Sequence, residues 1–162
     1  MKLGWARSQV DVFLAVFSIA AVVLSDRFTK NFFSSLLRYG ESIPVIKDIF
    51  HFTLIHNTGI AFGFFKNHGS VFIIVPVIAL ALLIFNIYYY RKNNEALSRA
   101  YIFAFSLIVG GAIGNLIDRM SYGYVIDFID LRVWPVFNIA DSAITIGAMI
   151  IGFKCFQMTG KE

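Results

Sequence analysis

A chain of 162 residues that is 58% hydrophobic and only 15% charged is not built like a soluble domain, in which about a quarter of residues are charged; it reads as membrane-embedded. The net charge of +4 is modest, and the basic residues sit between apolar runs, with no basic stripe or aromatic-basic platform, which argues against nucleic acid as a partner. A single cysteine, Cys155, excludes an intramolecular disulfide framework, and the length suits one integral-membrane domain over residues 1–162.

The first expected helix covers residues 11–37, strongly apolar from Val12 to Ser25 and amphipathic beyond. Lys2 and Arg7 precede it as in a cleavable signal. No small-x-small cleavage site follows, however, and the chain runs on into Asp26, Arg27 and Lys30, so a retained helix is expected. Residues 40–66 alternate in part between apolar and polar, with Gly and Pro nearby, which predicts short strands in a small outer sheet. Residues 71–90 are free of charge, with Pro76 near the start, and residues 100–119 are uncharged until Asp118. A second outer loop, residues 121–135, is rich in β-branched and aromatic side chains, and the last apolar segment is residues 137–156. A spanning helix needs ~20 mostly apolar residues, and each segment comes close to that. The expected fold is membrane α-helical, with four transmembrane helices and a small extracytoplasmic β-cradle.

Four spans place both termini on one side. The Lys and Arg residues divide evenly between the two sides, but those at 1–10, 91–99 and 154–162 are concentrated on short segments. Short loops weigh most in topology, so both termini are expected in the cytoplasm.

Three acids stand at the edges of the last two apolar segments: Asp118, Asp127 and Asp141. An ionised group at the bilayer centre costs ~2.5–3.5 kcal/mol on insertion scales, so acids there mark sites. Gly111, Asn115 and Asp118 fall on one helical face, and Gly110 with Gly114 adds a small-xxx-small seam. Asp118 reads as a supporting residue or an interfacial pair with Arg119. Asn138, Asp141 and Thr145 share another face, with Asn138 as a helix N-cap. Asp141 is either a first-turn acid complementing the helix dipole or, the stronger reading, a catalytic or ion-binding group. In the outer loop, alternation separates Asp127 from Asp130 without choosing between them. Asp26 and Lys30, spaced i, i+4, read as a local ion pair that also lines the polar site. Asn57, Thr58 and Gly59 mark a turn leaving a strand, where Asn57 either makes the turn or donates to a substrate carbonyl.

Other chemistries fit less well. Cys155 lies a bilayer away from His51, His56 and His68, so no Cys–His pair forms. No zinc-binding spacing occurs. A Ser–Lys dyad of Lys30 with Ser121 or Ser142 leaves the acids unexplained. A proton or cation relay, the rival from another class, should place acids through the membrane's depth, whereas Asp26, Asp118, Asp127 and Asp141 map to one face.

Five motifs together carry a resemblance: Asp-Arg-Phe-Thr-Lys (26–30), Asn-Thr-Gly-Ile-Ala-Phe-Gly (57–63), Gly-Gly-Ala-Ile-Gly-Asn-Leu-Ile-Asp-Arg (110–119), Val-Ile-Asp-Phe-Ile (125–129) and Phe-Asn-Ile-Ala-Asp-Ser (137–142). In this order and spacing the chain resembles the bacterial lipoprotein signal peptidases, the type II signal peptidases. The resemblance implies an aspartyl endopeptidase of the inner membrane, with its site near the outer face. It would cut diacylglyceryl-modified prolipoproteins just before the lipidated cysteine. It puts the catalytic pair on Asp127 and Asp141. Asp26, Lys30, Asn57, Gly59, Asn115, Asp118, Arg119, Asn138 and Ala140 match supporting or substrate-contacting positions. Membrane lipids are implied as surroundings. No metal or organic cofactor is implied, and a monomer suffices. Arg27 departs from the Gln common in the family and is expected not to touch the chemistry.

Overall fold

The structure, a computed structural model, describes residues 2–59, 81, 85 and 98–159. Among the described residues the elements in chain order are α1 (Lys2–Leu36), β1 (Ser42–Ile46), β2 (Phe50–Asn57), α2 (Arg99–Tyr122), β3 (Val125–Asp130) and α3 (Ile139–Thr159). α1 begins earlier than expected and α2 runs to Tyr122. The expected span at residues 71–90 lies outside the described residues, apart from Ala81 and Phe85, which are helical.

Gln9–Leu36 and Arg99–Tyr122 are each long and apolar enough to cross a membrane. Their side chains are arranged inside out. Phe13, Phe17, Leu24 and Phe28 are exposed along α1, whereas Asp26 and Lys30 on the same helix are fully buried. That inversion is what a hydrocarbon solvent selects, because polar groups must then be satisfied within the protein.

α1 and α2 run parallel. Arg99 reaches Asp11 at one end (3.4 Å), and Arg27 reaches Asp118 toward the other. α3 runs back: Ala140 packs on Gly111 and Gly147 packs on Ala104. The start of α1 and the end of α3 therefore lie at the same end of the bundle. Close approach depends on glycines facing two ways from α2. A Cβ at Gly114 would sit 2.7 Å from the Asp26 carboxylate on α1, and one at Gly111 would collide with the Ala140 carbonyl on α3.

At the other end lies a three-stranded antiparallel sheet in the order β1-β2-β3. The expectation of strands within 40–66 is met by β1 and β2. The third strand comes from the 121–135 loop, which pairs with β2 so that Ile55 faces Asp127 and His51 faces Asp130. β1 is the exposed edge and carries Pro44, which edge strands tolerate. Gly123, in the left-handed conformation (φ 78°), ends α2 and its N–H caps the Arg119 carbonyl at 3.0 Å, turning the chain into β3. Phe33 of α1 and Leu37 just beyond its end meet Leu54, Ile126 and Phe128 of the sheet in the apolar core, with Phe33 stacked on Phe128 at 4.4 Å. The strand carrying Asp127 is thereby fixed to the end of α1.

Candidate active site

Phe137 pairs with Ile129 through two backbone hydrogen bonds (2.8 and 3.0 Å), closing the 131–136 arch and delivering Asn138 to the start of α3. Asn138 is the N-cap. Its Oδ1 accepts the Asp141 N–H at 2.8 Å, and Asp141 Oδ2 faces the Asn138 N–H at 3.4 Å. With Oδ1 so engaged, Nδ2 must point inward. There it meets Asp127 Oδ1 at 2.7 Å and Asn115 Oδ1 at 3.1 Å. One fully buried asparagine thus touches both acids.

Asp127 is buried, at 1% exposure. Its second oxygen accepts Asn57 Nδ2 at 2.9 Å, while Asn57 Oδ1 accepts the Gly59 N–H at 2.9 Å. Asn57 therefore makes the turn and touches the site at once. Burial, reinforced by the nearby Asp141 carboxylate, pushes Asp127 up to about 7, against the opposing pull of its two amide donors and Lys30. Asp130 fares differently. Burial works to raise it, but the Thr53 hydroxyl (2.7 Å) and the Arg132 N–H and guanidinium outweigh that and hold it below the usual carboxylate range. Of the two loop acids, the structure brings Asp127 to Asp141 and ties Asp130 to the outer sheet.

Asp141 accepts Asn115 Nδ2 at 2.7 Å, and Asn115 Oδ1 in turn accepts Lys30 Nζ at 3.1 Å. Lys30 is fully buried, 2.7 Å from Asp26 and 2.8 Å from Asp118. Asp26 also accepts the Ala140 N–H at 3.0 Å, and Asp118 accepts the Ile126 N–H at 3.1 Å. These acids thus pin the residues just before Asp141 and Asp127. The expected i, i+4 pair of Asp26 and Lys30 is present, and it is part of a buried network joining α1, α2, α3 and β3. Asp118 pairs with Lys30 and Arg27 rather than with Arg119.

A cavity of about 240 Å³ opens beside this network. Asn57, Gly59, Asn115, Arg119 and Asp141 form its polar side, and Trp134, Val136, Phe137 and Ile144 its apolar side. Asp127 lies behind Asn57 rather than in the wall. Arg119 makes no ion pair among the described residues, and its field reaches both Asp141 and Asp127. No cluster of three or more metal-ligating side chains occurs among the described residues. Every residue singled out from the sequence for the catalytic pair or its support is in or against this site.

Arg27 touches neither Asp127 nor Asp141 in any contact among the described residues, but it has a structural partner that the sequence does not identify: its guanidinium pairs with buried Asp118. A charge inside an apolar run, one position from Asp26, was the available signal. The Ile126 N–H left none, because only the fold brings β3 against Asp118.

Apolar helices of spanning length, an end-on sheet and acids buried where they meet define a membrane protein with a carboxylate-centred site. The family described as signal peptidase (SPase) II matches residues 18–157. A lipoprotein signal peptidase of Halothermothrix orenii is 41% identical over 86% of this chain and 92% of its own, and one of Thermodesulfovibrio yellowstonii is 43% identical over 95% and 97%. A solved bacterial membrane enzyme superposes with a TM-score of 0.80 at 32% identity, over 95% of this chain and 92% of that one. The chain belongs to the signal peptidase II family, a family of aspartic peptidases.

Proposed function

We propose that Asp127 and Asp141 are the catalytic pair of an aspartic endopeptidase that removes signal peptides from diacylglyceryl-modified prolipoproteins, cutting just before the lipidated cysteine. Family membership supports the reaction. The observation that carries the residue assignment is that Asn138 binds the Asp127 carboxylate through Nδ2 and, through Oδ1, fixes the helix turn that presents Asp141 to the cavity.

Two acids this close share a proton, because ionising both is unfavourable. The ionised member takes a proton from water as the water oxygen attacks the scissile carbonyl, and the protonated member gives its proton to the carbonyl oxygen. Collapse of the tetrahedral intermediate returns a proton to the cysteine nitrogen, leaving a free amine and the signal peptide's new carboxylate. Arg119 and Asn57 are placed to face the peptide carbonyls and the developing oxyanion. Asn57 must release Asp127 Oδ2 as substrate arrives, since Asp127 lies behind it. Lys30, Asp26, Asp118, Asn115 and Asn138 are positioning residues. Gly59 lines the cavity and leaves room for the peptide, and Ala140 anchors the first turn of α3 to Asp26.

The protein acts as a monomer in the bacterial inner membrane, with four spans in a single domain, both termini cytoplasmic and the sheet on the outer side. The test is cleavage of a diacylglyceryl prolipoprotein by purified protein. Asp127→Asn and Asp141→Asn should each abolish turnover with helix content unchanged. Normal turnover in either would refute the pair. A reporter fused after Lys66 should appear outside the cell and one after Asn93 inside, and the reverse would put the site on the wrong face.

A further inference from the structure

α1 carries a second polar stripe that the peptidase chemistry does not use. Asp26 and Lys30 face the site; Arg27, Asn31 and Ser34, at i, i+4 and i+7, face away from it. Asn31 and Ser34 are exposed, on the last turns of a helix whose other outward residues, Phe28, Phe32 and Leu36, are large and apolar. Exposed amide and hydroxyl groups on such a face need a polar neighbour.

The stripe borders a separate crevice of about 330 Å³, walled by Tyr39, His56, Tyr122 and Tyr124. Its rings are ordered: His56 stacks on Tyr124 at 4.1 Å and Tyr122 on Tyr124 at 5.8 Å. Arg27 Nη2 donates to Tyr122 Oη at 3.4 Å, so a partly exposed guanidinium stands behind one of the crevice's lining rings. Burial holds the His56 imidazole below its ordinary range, so positive charge at the crevice comes from arginines beside it: Arg27 behind Tyr122, and exposed Arg38 between the lining residues Leu37 and Tyr39. The crevice lies where α1 and α2 both end, at the depth where a bilayer presents headgroups and where tyrosines concentrate.

We propose that this crevice binds the phosphodiester headgroup of an anionic glycerophospholipid, with its acyl chains descending along the apolar residues of α1. Arg27, with one guanidinium nitrogen on Asp118, offers its remaining N–H groups, and the tyrosine hydroxyls, Asn31 and Ser34 supply further donors in a ring-lined recess. A phosphate with a small hydroxylated substituent matches that chemistry better than a choline. Choline would bring its own cation toward Arg27. The site is independent of the Asp127–Asp141 assignment.

The test is native mass spectrometry of the full chain released from nanodiscs of equal parts phosphatidylglycerol and phosphatidylcholine. The protein should retain one phosphatidylglycerol in preference to phosphatidylcholine. Asn31→Leu combined with Ser34→Leu should lower that retention about tenfold, the loss of roughly one charge-assisted hydrogen bond. Tyr122→Phe, with a smaller change of volume, reports the same loss should the double variant fail to fold. Equal retention of both lipids, or retention unchanged in the folded variants, overturns the proposal. Displacement of the lipid by millimolar inorganic phosphate also overturns it, since the crevice would then be a free-anion site.

Discussion

Asn138 and Asp141 hold each other. Asn138 Oδ1 accepts the Asp141 N–H at 2.8 Å, and the Asp141 carboxylate lies 3.4 Å from the Asn138 N–H. The acid thereby sits in the first turn of α3, where the helix dipole favours negative charge. The same contact turns the Asn138 amide toward Asp127. Helix initiation and assembly of the carboxylate pair are one structural event.

Asn138→Ala should therefore lower stability and turnover together. Loss of the cap costs ~0.5–2 kcal/mol, and the buried Asp127 oxygen is left without its donor. Asn138→Asp keeps a capping oxygen but adds a third acid beside the pair. It should retain more stability than Asn138→Ala yet have less activity. Thermal unfolding measured beside cleavage rates separates the two effects.

The pH dependence follows from Asp127. Its folded value, about 7, lies above the ordinary 3.8, so the folded state holds a proton that the unfolded state releases. This contribution to stability is present at low pH and is lost as pH rises through about 7. The kcat/KM profile should fall on its alkaline side near the same value, as the shared proton leaves. Asp127→Asn should flatten the decline of thermal stability between pH 5 and 8; an equally steep decline in that variant would assign the proton elsewhere.

Much of this site was legible because polar residues stand out in an apolar chain. Asp118, Asn115, Asn138 and Asp141 announce themselves by helical spacing, and Asn138 by its place before an apolar run. Spacing does not report burial: i, i+4 predicts the pair of Asp26 and Lys30 but not that neither side chain reaches solvent. Nor does it report strand partners. Asp127 and Asp130 were equivalent until β3 paired with β2, which set Asp130 opposite His51 and beside Thr53. The partner of Arg27 is illegible for the same reason, since the acid it neutralises is 91 positions away in the chain.

That neutralisation gives a double-variant prediction. Lys30 and Arg27 balance Asp26 and Asp118, so the buried network carries no net charge. Lys30→Met leaves uncompensated acid in the interior and should cost ~3–5 kcal/mol. Adding Asp26→Asn to Lys30→Met should recover a large part of that loss, a coupling that independent sites would not show. Activity should stay low in both, because Asn115 no longer has Lys30 to fix its amide toward Asp141. Unfolding in detergent and cleavage assays on the four proteins of the cycle test this.

Glycine substitutions distinguish packing from propensity. A Cβ at Gly111 runs into the carbonyl of Ala140, one residue before Asp141, and backbone cannot swing aside as a side chain can. Gly111→Ala should cost ~1–3 kcal/mol as an overpacked contact and should depress turnover by displacing the first turn of α3. Gly152, further along α3, has no atom within 4 Å of a built Cβ. Gly152→Ala should be neutral or stabilising by up to ~1 kcal/mol, since alanine is the better helix former. Equal losses at the two positions would mean that the approach of α2 to α3 is not what holds Asp141 in place.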